Sequence, residues 1–150
     1  MRCHTAKYKE WLEKEGEKEG MEIKVRFTKW DWRSFRKGNT IIISEEMFSP
    51  FFTEEERRAV GLHELAHIKY RHPERWRKEQ QRIFQKCQIE ADAYAKRRGF
   101  REALGSVLGK LKQSKKRWMK KGWYRIKWWM NPPPITDDVD ERIERLRRDC

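Results

Sequence analysis

The pentapeptide His63-Glu64-Leu65-Ala66-His67 lies inside an apolar-periodic run over residues 59–68, and no other stretch restricts this chain as strongly. The period is that of a buried α-helix. Two histidines four residues apart on a helix are separated by only about 40° in projection, so both imidazoles can face one point in space. Neutral imidazole is a good zinc ligand, and a hydrolytic zinc site needs three protein ligands with one position left for water. Zinc moves the pKa of such a water towards neutrality. Glu64, beside the two histidines, is placed to take a proton as that water attacks a peptide carbonyl and to pass it to the leaving amine. The spacing is that of the zinc-hydrolase helix, with an accidental match on a core helix as the alternative.

A chain of 150 residues can enclose one compact core even with apolar residues at 37%, so one domain is expected over 1–150. Charged residues make up 41% and the net charge is +13, which suits nucleic acid, an anionic surface or an acidic substrate. The same solvated surface is what heat-adapted proteins carry, so a thermophile origin is an even competitor. Cys3, Cys87 and Cys150 are odd in number and widely spaced, which argues against a disulfide framework and for a reducing cytoplasm. No apolar run reaches the roughly 20 residues of a membrane span, so a soluble protein is expected.

Along the chain, residues 5–19 read as a short, mostly solvated helix ending at Gly16 or Gly20, either packing or a pro-segment within residues 1–20. Residues 21–28 alternate apolar and polar as a half-buried strand does, and residues 39–44 are a short β-branched second strand after a turn or hairpin region closed by Gly38. Thr53 followed by Glu54, Glu55 and Glu56 predicts a capped start for the helix carrying the two histidines, which ends near His72-Pro73. A long helix is expected over 74–98, with Trp76, Ile83, Phe84, Cys87, Ala91 and Ala95 facing inwards and Gly99 ending it, then a shorter one over 100–113. Asn131-Pro132-Pro133-Pro134 breaks regular structure, and Thr136 or Asp137 caps a last helix with Val139, Ile143 and Leu146 on its apolar stripe. The fold class is α+β.

The segments Asn39-Thr40-Ile41-Ile42-Ile43-Ser44, Phe52-Thr53-Glu54-Glu55-Glu56-Arg57-Arg58-Ala59-Val60, the run from His63 to His72, Glu90-Ala91-Asp92-Ala93-Tyr94-Ala95 and Asp140-Glu141-Arg142-Ile143-Glu144-Arg145-Leu146 come in an order that resembles the HtpX/CaaX-processing-like zinc metallopeptidases, especially their soluble minigluzincin-type members. The resemblance leaves out residues 1–20 and 100–130. It implies a zincin-like fold: a small sheet, an active-site helix, a second ligand-bearing helix and a C-terminal helix. It also implies Zn2+ as cofactor, a peptide or protein substrate, and zinc-dependent endopeptidase activity or a weakened, latent derivative of it. The strand at 39–44 then resembles the edge strand along which an extended peptide adds by β-augmentation.

The resemblance places a glutamate ligand four residues before Asp92, where this chain has Gln88. Asp92 resembles the aspartate that orients a liganding histidine, and Arg142 matches the family's arginine. Glu90 is present but points about 200° from Gln88 on an ideal helix. Three readings stay open: a weakened or inactivated site of His63, His67 and Gln88; a site completed by Glu90 through a changed register; or no metal. His72, five residues past His67, reads as a helix C-terminal cap residue, since Tyr70 and Pro73 stand where a three-histidine pattern needs Gly and His. The family's His-Pro step is absent; Asn131 or Tyr124 would have to replace its oxyanion donor.

From Ala103 to Thr136 there is no acidic residue, while nine Lys and Arg between Lys110 and Lys127 mix with Trp118, Trp123, Tyr124, Trp128 and Trp129. Cations among stacking rings suit single-stranded nucleic acid or an anionic lipid surface, so a disarmed zincin scaffold that binds through residues 110–129 is the rival reading. A lid or packed strand with wet lysines is the plainer one for this basic aromatic insertion at 114–130, and the uneven spacing of Trp123, Ile126 and Trp129 favours it. Cys3-His4 and Cys150 are metal-ligating residue types at the two termini that would inhibit the site if they reached it.

Overall fold

A computed structural model describes residues 2–31, 33–122, 130 and 137–148. Five helices and a three-stranded mixed sheet form an α+β unit: α1 (Arg2–Lys18), β1 (Lys24–Thr28), β2 (Phe35–Lys37), β3 (Thr40–Ser44), α2 (Glu54–Lys69), α3 (Gln81–Arg97), α4 (Arg101–Met119) and α5 (Val139–Arg148), with 3-10 turns at Glu45–Phe48 and Lys78–Gln80. No helix among the described residues is long and apolar enough to cross a membrane.

The strand order is β1-β3-β2, with β1 parallel and β2 antiparallel to β3. The isoleucine-rich strand is therefore the middle of the sheet, not its edge, and this corrects the edge expectation. Ile41 and Ile43 are fully buried on the face towards the helices, and burial on that scale is why a run of isoleucines belongs in the centre of a sheet. Among the described residues the strand bordering the cleft is the three-residue β2.

α2 begins as its sequence requires. Thr53 adopts an extended backbone and its hydroxyl accepts from Glu56 N at 3.1 Å, with three glutamates in the first turn at the positive end of the dipole. Leu62 and Leu65 are fully buried in the core, each contributing roughly 1.5–3 kcal/mol through the apolar area removed from water. The helix ends in a tight turn: Arg71 takes the left-handed conformation at φ 55°, Arg71 N donates to Ile68 O at 3.1 Å and His72 N donates to His67 O at 3.0 Å. Two such bonds around a left-handed residue make a Schellman motif, formed here without the usual glycine.

α1 packs with Tyr8 and Leu12 in the core, so it is less solvated than its charge suggests. The close approach depends on Gly61: a Cβ there would lie 2.3 Å from the Tyr8 hydroxyl and 3.0 Å from Leu12. Gly61→Ala should cost about 1–3 kcal/mol by overpacking. Adding Tyr8→Phe should recover part of this in urea melts, unless the loss comes from the helix backbone.

The expected helix over 74–98 is shorter than its pattern. Residues 70–77 form turns and irregular structure, and α3 runs over Gln81–Arg97. Trp76 meets Phe84 edge-on at 5.4 Å from outside the helix, and Ile83, expected inside, is 52% exposed. α4 is longer than expected because Leu104, Val107, Leu108 and Ser114 continue a buried face into the basic stretch. Asp138, rather than Asp137, caps α5, its Oδ1 accepting from Glu141 N at 3.0 Å, and Thr136 lies outside the described residues.

Candidate metal centre

α2 and α3 lie side by side, and their facing residues form a three-atom cluster. His63 Nε2 lies 3.0 Å from His67 Nε2 and 3.0 Å from Gln88 Oε1, and His67 Nε2 lies 2.8 Å from Gln88 Oε1. Gln88 and Asp92, four residues apart, share the face of α3 turned to α2. Asp92 Oδ1 is 2.8 Å from His63 Nδ1, and Arg142 of α5 donates to both Asp92 oxygens at 2.7 Å. Arg142 also binds Asp137 and comes within 3.4 Å of His63 Nδ1. The shorter contact places a proton on Nδ1: His63 donates to Asp92, and the neutral ring in this tautomer presents a bare Nε2 to the cluster.

Glu90 is not in this cluster. Rotated away from Gln88 on α3, its half-exposed carboxylate lies 3.2 Å from His72 Nε2, so a changed register that would bring it in does not occur. His72 closes the end of α2 with its backbone N–H, as expected of a C-terminal cap residue, but its side chain is buried, and its Nδ1 stands 2.8 Å from His67 Nδ1. The sequence reading missed this contact, because neither the spacing of the histidines nor Arg71, a non-glycine in the left-handed turn, marks it.

Burial sets the protonation of the site. His67 is pushed down to about 2, first by burial and then by His63 and His72, so its ring is neutral. Burial would raise the Asp92 carboxyl, but the charge of Arg142 and hydrogen bonds from Arg142 and His63 prevail and hold it at about 2. Glu64 is raised by burial, against the opposing pull of His63, Arg142 and Arg36. It lines a cleft of about 1030 Å³ walled by Val60, Phe84, Leu104 and Leu108, with Arg36 and Trp76 among its other lining residues.

The cluster fits a small cation of zinc type. Two bare imidazole nitrogens and an amide oxygen are all acceptors when both histidines carry their protons on Nδ1, and acceptors held this close call for a positive centre. Ligand bonds of roughly 2.0–2.1 Å in a tetrahedron put donors about 3.3 Å apart, so each would move by only a few tenths of an ångström. Among the described residues no group of three or more His, Cys, Asp or Glu side chains is arranged to hold a metal; the third donor here is an amide.

Several cations and Trp118 in the described half of the basic stretch are bound into the fold, while Lys116, Lys120 and Lys121 are exposed. Lys110 pairs with Glu56 at 2.7 Å and Lys112 with Asp140 at 2.7 Å, while Glu46 takes Arg117, Ser114 Oγ and Trp118 Nε1. Tyr124, Asn131 and residues 123–129 of the insertion lie outside the described residues, as does Cys150. Cys3 and His4 are exposed on α1, and neither lines the cleft. No family model, no curated protein and no solved structure matches this chain.

Proposed function

We propose that this chain is a zinc-dependent endopeptidase of zincin-like design whose metal is held by His63, His67 and the amide of Gln88, and therefore weakly. The observation that carries the reading is the meeting of His63 Nε2, His67 Nε2 and Gln88 Oε1 within 3.0 Å of one another in a cleft that Glu64 also lines. Zinc supplies Lewis acidity to water and carbonyl oxygen when bound. Glu64 takes the proton of the attacking water and returns it to the leaving amine. Asp92 holds the His63 ring by its Nδ1–H, and Arg142 holds Asp92. The outer edge of β2 is the strand edge nearest the cleft among the described residues, and an extended peptide could add to it through main-chain bonds.

A neutral amide binds zinc less well than a carboxylate, because it brings no charge to the ion. Gln88→Glu should tighten zinc about ten- to a hundredfold in a chelator competition and raise peptide hydrolysis at limiting zinc, whereas Gln88→Leu should weaken binding. Zinc binding that ignores both substitutions, or survives loss of His63 and His67, would rule this site out.

A further inference from the structure

His67 has neighbours at both ring nitrogens that compete over the position of its single ring proton. Its Nε2 faces His63 and Gln88, while its Nδ1 faces His72 Nδ1 at 2.8 Å. Between two Nδ1 atoms only one can carry the proton. His72 is itself held at its far nitrogen, where Glu90 Oε1 lies 3.2 Å from Nε2. A carboxylate accepts and cannot donate, so it favours the His72 tautomer protonated on Nε2. That leaves His72 Nδ1 bare, His67 Nδ1 protonated and His67 Nε2 bare. The opposite arrangement, with His67 donating from Nε2 to Gln88, would set a bare His72 Nε2 against the carboxylate.

We propose that Glu90 and His72 are positioning residues that fix the proton of His67 on Nδ1 and so aim its Nε2 lone pair at the metal position before any metal arrives. The two histidines of α2 are then handled alike: His63 through Asp92 and Arg142, His67 through His72 and Glu90. Between His67 and His72 only the place of one proton is at stake. The backbone is shaped for the arrangement. The left-handed turn at Arg71 brings His72 back over the last turn of α2, and Arg36 donates to the His72 carbonyl from β2. Where Gln88 brings no carboxylate to the cluster, Glu90 directs one towards it through a ring.

The metal half of the inference rests on the zinc reading above; the tautomer half does not. Nitrogen NMR of the zinc-free protein should find His67 protonated on Nδ1 and His72 on Nε2. Glu90→Gln keeps an acceptor oxygen and should preserve both. Glu90→Lys replaces the acceptor by a donor at a half-exposed position that the fold tolerates, and should move His72 to Nδ1–H and His67 to Nε2–H. Zinc affinity measured by chelator competition should then fall about ten- to a hundredfold, the usual effect of removing a group that orients a metal ligand. A wild-type His67 protonated on Nε2, or a Lys variant with unchanged tautomers, would overturn the relay. Shifted tautomers with unchanged zinc affinity would overturn its effect on the metal. A wild type with the stated tautomers and no zinc binding would support the relay and defeat the zinc reading alone.

Discussion

Glu64→Gln should lower peptide hydrolysis by about 10²–10⁴, the contribution of a placed general base, and leave zinc affinity and the fold in place. The substitution keeps shape and removes only the ability to take a proton. Stability argues in the same direction. Burial raises the Glu64 carboxyl, so the folded state favours its protonated form, and keeping it ionised costs stability that grows as pH rises from the ordinary carboxylate range through the raised value. At neutral pH the Gln variant should therefore melt no lower than the wild type. A fluorogenic-peptide assay beside a thermal melt separates the outcomes: hydrolysis kept at the wild-type rate would move the base elsewhere, and a large drop in melting temperature would mean that the carboxylate is structural.

Arg142→Met should destabilise the protein by about 3–5 kcal/mol, the cost of leaving a buried charge without its partner. That is a large share of the 5–15 kcal/mol that a domain of this kind has in total. Asp92 is 4% exposed and Arg142 4%, and the arginine is shared with Asp137. The pH dependence follows from the sign of the Asp92 shift. Held at about 2 in the folded chain, below the roughly 3.9 of a free aspartate, this carboxylate contributes stability that is fully present above the free value and is lost as pH falls towards 2. The variant lacks that contribution, so urea melts should show the gap to wild type narrowing as pH drops from 7 to 3. A gap that stays constant would mean that Arg142 acts through packing alone.

The parts of this architecture that depend on neighbours along the chain were readable in advance. Thr53 with its three glutamates announced the start of α2, and the four-residue spacings of His63 with His67 and of Gln88 with Asp92 announced which residues share a face. What depended on distant pairing was not. The position of β3 between β1 and β2 is decided by two other strands, and an isoleucine run alone reads equally well as an edge or a centre. Trp76 and Ile83 fit a helical stripe, yet one packs from a loop and the other faces water. His72 read as a helix cap residue and no more, because Arg71 gives no hint, as a glycine would, of the left-handed turn that folds its ring inwards.

Arg142 lies 50 residues after Asp92 and 79 after His63 in the chain. Synthesis runs from the N-terminal end, so α2 and α3 emerge before the guanidinium that steadies Asp92. Until α5 docks, Asp92 lacks its buried guanidinium partner and the His63 ring its second support. The order of synthesis would thus leave the His63–Asp92 pair without its guanidinium until α5 is in place.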